Sequence, residues 1–135
     1  MATIEVTGAE EVAWDLTDLY TGADDPALER DLQEAEEGTA AFRDRYRGKV
    51  AELDAAALRD AIAERERIDE VFNRAAYYAH LNFATNMADP PRGALVARLT
   101  EKEAALGAEL LFFTLELAEL DDDHAEALLA APELE

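Results

Sequence analysis

Cysteine is absent from this chain of 135 residues, and lysine occurs only as Lys49 and Lys102. Without cysteine there are no disulfides, thiolate metal ligands or cysteine nucleophiles. No apolar run approaches the roughly 18 residues that a bilayer span requires. The N-terminus lacks the basic region and continuous apolar stretch of a signal peptide. These absences fit a cytoplasmic protein without a membrane partner. Positive charge is scarce: 12 bases face 32 acids, for a net charge of −20. Such a surface repels phosphate backbones, so nucleic acid is not an expected partner. The acids are spread along the chain rather than gathered in one block, which reads as a solvated acidic face whose self-repulsion salt screens. A docking face for a basic partner is the sharper alternative.

Glycine and proline are missing between Gly48 and Pro90, and this uninterrupted stretch organises the rest. Asp54 is placed to cap a helix over 54–87, a rod of roughly 50 Å at about 1.5 Å per residue. At 100° per residue Leu58, Ala61, Ile62, Ile68, Phe72, Ala76, Ala79, Phe83 and Met87 share one stripe. Arg65 and Asp69 intrude on it four residues apart and are expected to pair. Towards the end Tyr77, Tyr78 and Leu81 replace the charges of the opposite face, so this half calls for cover from two sides. Before it, Asp24-Asp25-Pro26 marks the start of a helix over 24–47, with Leu28, Leu32, Ala35, Thr39, Phe42 and Tyr46 inward and Gly48 as the stop. Gly38 inside that helix implies a neighbour in close approach. Residues 1–23 form an N-terminal strap, with weak strand alternation over Thr3–Thr7. It ends in Trp14-Asp15-Leu16-Thr17-Asp18-Leu19-Tyr20, a hydrophobic anchor rather than a functional aromatic site.

After the Asp89-Pro90-Pro91 turn a third helix is expected over 92–120, with a seam of Leu99, Leu106, Leu110, Phe113, Leu117 and Leu120. Leu111, Phe112 and Leu115 widen that seam around the cylinder. The short connection implies an antiparallel hairpin of 54–87 with 92–120. A short last helix follows over 122–131. The expected fold is therefore a single all-α domain, residues 1–135, built as a long antiparallel helical hairpin packed with one preceding helix and one short C-terminal helix.

Catalytic machinery is missing from these residues. His80 and His124 are the two histidines, and His-Glu-x-x-His, which sets two imidazoles on one helical face for zinc, does not occur. Glu-x-x-His, the signature of di-metal carboxylate bundles, is absent too, as are phosphate-binding glycine loops and a Gly-x-Ser-x-Gly elbow. No catalytic, metal or cofactor-binding residue is assigned. His80 reads first as a core-edge histidine bonded to a neighbour. The functional alternative is a peptide- or partner-facing surface of Tyr77, Tyr78, His80, Leu81 and Asn82, with Asn86 beside it.

Trp14-Asp15-Leu16-Thr17-Asp18-Leu19-Tyr20, the helix ending near Tyr46, Tyr77-Tyr78-Ala79-His80-Leu81 and Phe112-Phe113-Thr114-Leu115-Glu116-Leu117 together resemble the N-terminal region of oligoendopeptidase F. That family belongs to the thimet-oligopeptidase-like zinc metallopeptidases. The resemblance runs over nearly the whole chain and rests on the order and spacing of aromatic and leucine landmarks. It implies a helical, non-catalytic domain forming part of the wall of a peptide channel in an enzyme that hydrolyses short oligopeptides. Zinc would then belong to a separate catalytic region of the same polypeptide, the main partner, with short peptides as ligands of the whole. The alternative is a self-contained acidic helical interaction module that self-associates through the apolar ends of its helices; a homodimer is expected where surface meant for the rest of the polypeptide is exposed.

Overall fold

The computed structural model describes Gly8 and residues 12–135; the expected strap over Thr3–Thr7 lies outside them. Four α-helices follow in order: α1 Pro26–Tyr46, α2 Ala55–Thr85, α3 Pro90–Ala118 and α4 Asp122–Leu129. Single 3₁₀ turns stand at Val50–Glu52 and Pro132–Leu134, and no strand occurs among the described residues. The class is all-α.

Aspartates set the helix starts. Asp25 accepts from the Ala27 amide at 2.9 Å and Asp54 from that of Ala57 at 2.8 Å. Asp121 accepts from the amide of His124 at 2.8 Å. Each satisfies one of the amides that a first turn leaves unpaired. At α3 the boundary differs from expectation. Pro90 and Pro91 lie inside the first turn, where their missing N–H groups have no intrahelical acceptor to lose. The Asp89 carboxylate accepts instead from Arg92 Nε at 3.1 Å. The other ends are trimmed as well: α2 stops at Thr85 and leaves Met87 exposed, and α3 stops at Ala118.

α1, α2 and α3 pack against one another as an up-down-up bundle, and ion pairs give the directions. Glu29 meets Arg98, Glu36 meets Lys102 and Arg43 meets Glu109, so α1 and α3 run parallel. Asp31 meets Arg74, Glu34 meets Arg67 and Arg45 meets Glu64, so α2 runs against α1. Every interhelical ion pair among the described residues has one end on α1. The Arg65–Asp69 pair expected within α2 forms at 3.1 Å.

Two apolar clusters fill the bundle. The first joins Tyr20, Leu28, Leu32 and Ala35 to Phe72, Ala75, Tyr78, Ala79, Leu99 and Leu106. The second joins Phe42, Tyr46 and Val50 to Leu58, Ala61, Ile68, Leu110, Phe113 and Leu128 of α4. Gly38 permits the close crossing of α1 and α2: a Cβ there would lie 3.1 Å from Ile68 Cγ1. Beside it Thr39 is fully buried, and its hydroxyl has no hydrogen-bond partner. Gly48, with φ +77°, takes the left-handed conformation that ends α1. Glu116 of α3 then secures the connection to α2, accepting from the Gly48 amide at 2.7 Å and the Val50 amide at 3.2 Å.

The expected anchor at residues 14–20 is only partly one. The Leu19 and Tyr20 amides donate to the Leu16 carbonyl, which closes a single turn. Tyr20 is buried, with Leu16 and Leu19 half-buried around it, but Trp14 is exposed.

Candidate functional site

The tyrosine-rich end of α2 presents its residues in three directions. Tyr77 is 61% exposed, whereas Tyr78, one residue on and 100° around the helix, is 4% exposed. Tyr78 packs edge-on against Tyr20 with ring centroids 5.3 Å apart. It belongs to the core, which corrects the expectation of a partner-facing Tyr78: the residue 14–20 turn supplies the second layer of cover. His80 is exposed rather than set at the core edge, and Leu81 and Asn82 are half-buried. Tyr77, Tyr78, His80, Leu81 and Asn82 therefore do not form one surface.

Two of the five, Tyr78 and Asn82, meet at a cleft. It lies between the 12–21 segment, the end of α2 and the start of α3, and has a volume of about 660 Å³. Trp14, Tyr20, Thr85, Asn86 and Arg92 line it with them. That volume falls within the roughly 300–1,000 Å³ usual for small-molecule sites. Arg92 ties the cleft floor together: Nη1 donates to the Asn82 carbonyl at 2.9 Å and also contacts Thr85 Oγ1, while Nε holds Asp89. In a chain so acidic, a cation at this position offsets the local negative field. On the rim Asp15 accepts from the Thr17 hydroxyl at 2.6 Å and the Thr17 amide at 3.0 Å. These bonds hold its carboxyl below the usual range. The Tyr78 hydroxyl is pushed up by burial, so it stays neutral at physiological pH.

The cleft thus offers aromatic faces, side-chain amides, a hydroxyl and one guanidinium. These groups suit binding: an extended backbone can exchange hydrogen bonds with Asn82 and Asn86 while apolar side chains lie against the rings. Its one hydroxyl–carboxylate pair, Thr17 on Asp15, is an exposed contact two residues apart within one turn. His80 on α2 and His124 on α4 stand on different helices, and no group of three or more His, Asp or Glu able to hold a metal occurs among the described residues. No helix of the described residues is long and apolar enough to cross a membrane.

Sequence reasoning missed the contributions of Trp14 and Arg92, which are far apart in the chain. The one available signal was an arginine placed next to the hairpin turn of a base-poor sequence. Comparison with protein-family models, with curated protein sequences and with solved structures gives no match to this chain.

Proposed function

We propose that this chain is a non-catalytic helical part of an oligopeptidase of the oligoendopeptidase F type, and that the cleft at its hairpin tip forms part of the wall along which short peptides lie. The observation that carries the reading is the pairing of aromatic and amide groups around one open cleft, together with the order of landmarks in the sequence. In the parent enzyme a zinc-bearing catalytic region of the same polypeptide would hydrolyse the peptide, and the present residues would position it and limit its length.

Trp14, the only tryptophan, lies on the cleft and reports on its occupancy. Short unstructured peptides are expected to shift Trp14 emission to the blue with weak affinity, and Asn82→Ala together with Asn86→Ala to remove the shift. The chain alone is expected neither to cleave a quenched peptide nor to retain stoichiometric zinc after dialysis. Cleavage abolished by a chelator, or peptide-independent Trp14 emission, would overturn the reading.

A further inference from the structure

The end of the bundle opposite the cleft has an apolar groove of its own. It lies between the start of α2, the end of α3, α4 and the turn at Pro132–Leu134, with a volume of about 320 Å³. Every residue lining it is leucine, isoleucine or alanine. Leu58 and Leu128 are buried at its base, Ile62, Leu117 and Leu120 are half-buried, and Leu129 stands at its edge, 76% exposed. Carboxylates crowd the same residues. Glu119 and Asp121 flank Leu120, Asp122 and Glu126 lie within one turn of Ala125 and Leu129, and Glu133 and Glu135 flank Leu134; all six are exposed. None of the six is in an ion pair among the described residues. All twelve bases of the chain lie at or before Lys102, and ten acids follow it. The bases nearest in sequence to the lining residues, Arg59 and Arg65, are already held by Asp60 and Asp69. The apolar groove thus coincides with the part of the chain that has no lysine or arginine.

We propose that this groove docks a basic amphipathic helix of a partner protein, its apolar side chains among the leucines and its lysines or arginines against the carboxylates. Size and charge select that occupant independently. The groove is near the lower limit of the roughly 300–1,000 Å³ that encloses a whole small molecule, so it takes one or two anchoring side chains. α4, with eight residues, extends about 12 Å, which matches apolar anchors at i, i+3 or i+4, and i+7 of a helix laid along it. Charge then sets the partner's sign. Carboxylates around low-dielectric walls focus a negative potential on the groove. The long stems of lysine and arginine lie readily across leucines while their charged ends reach the rim. A second copy of this chain cannot supply such a helix. Nine of its twelve bases are already in ion pairs, and its net charge of −20 repels another copy. The rim charges speed association, and the anchors in the groove slow release. The inference is independent of the channel-wall reading, since groove and cleft lie at opposite ends of the α2–α3 hairpin.

The probe is a labelled peptide of leucine and lysine, about 14 residues and roughly 21 Å as a helix, with its leucines at helical spacing. Its fluorescence anisotropy is followed at about 0.1 M salt, where charges more than about 10 Å apart are screened. Binding in about the micromolar range is expected. A scrambled peptide of the same composition, and a version with glutamate for lysine, are expected to bind about tenfold more weakly or worse. Leu129→Ser, and Glu126→Lys combined with Glu133→Lys, are each expected to weaken binding about fivefold or more; these positions are exposed, so the fold is retained. Glu37→Lys combined with Glu70→Lys makes the same change of charge on exposed positions of α1 and α2 and is expected to leave binding within about twofold. No binding of the amphipathic peptide overturns the proposal. Equal binding of the scrambled peptide, or an equal loss in the two double variants, overturns it as adhesion to overall charge. Binding of dodecyltrimethylammonium at the groove without binding of the peptide overturns it too, since the occupant would then be a small lipophilic cation.

Discussion

Gly38→Ala sets two opposed effects of known size against each other. In a helix interior alanine is favoured over glycine by about 1 kcal/mol. Against this, the new methyl would stand 3.1 Å from Ile68 Cγ1. That atom lies one bond from Cβ on a buried side chain, so it can retreat only by moving α2 or leaving its rotamer. Overpacking of this kind costs about 1–3 kcal/mol. The expected net result is a loss of about 1 kcal/mol, a fall of about 3–5 °C in melting temperature for a domain of this size. Ile68→Ala is costly alone, by about 2–5 kcal/mol, but it removes the obstructing atom. In that background Gly38→Ala should recover the full helix gain of about 1 kcal/mol, leaving a coupling of about 2 kcal/mol between the two sites. Urea unfolding of the four proteins, with slopes compared to confirm a common unfolded state, measures the cycle. Stabilisation by Gly38→Ala in the unmodified background would refute the view that glycine is required there for helix approach.

Two further outcomes follow from buried hydroxyls. Thr39→Val removes an unpartnered buried hydroxyl without changing side-chain shape or branching, and should raise stability by about 1–2 kcal/mol; a loss in urea unfolding would mean that the hydroxyl is satisfied. Tyr20 donates to Asp31 at 2.5 Å, and burial first, then that bond, push its hydroxyl well above the ordinary 10.0. The folded state therefore holds this proton more tightly than the unfolded chain. The resulting stability is full below about pH 10 and is lost as pH rises beyond it. Tyr20→Phe should flatten the alkaline decline while lowering stability at neutral pH by about 1.5–3 kcal/mol, and an unchanged decline would place its cause elsewhere.

The helical layout was legible because its determinants are local. All six residues expected on the inner face of α1 are buried there, since one straight helix between an Asp-Pro start and a Gly stop keeps its phase. In α2 the stripe holds through Phe72, and Ala79 keeps to it, but beyond Phe72 the buried face widens. Ala75 and Tyr78 turn inward while Phe83 is half-buried and Met87 exposed, because the 14–20 turn adds cover that periodicity within α2 cannot register. The start of α3 moves to Pro90 because two prolines fit the first turn of a helix as well as the turn before it. The cleft was much less legible. It joins Trp14, Asn82 and Arg92 through tertiary placement, and no short motif encodes that proximity. Glu116 likewise looks like one more surface acid until the Gly48 turn is set beside it.

The ion pairs centred on α1 bear on alignment more than on strength. Each partly exposed pair is worth at most about 1 kcal/mol, too little to hold a helix that is already fastened by Leu28, Leu32 and Phe42. Their signs, however, change along the rod: towards α3, α1 presents Glu29 and Glu36 and then Arg43. Sliding α1 by one turn, about 5.4 Å, would re-form at most one of the three pairs with α3, Glu29 with Lys102 or Glu36 with Arg98, and would lose Arg43–Glu109 in either direction, while leucines and alanines could still find other leucines and alanines. In a chain with so few bases, the cations thus act as a vernier, selecting one register among several that the apolar surfaces alone would accept.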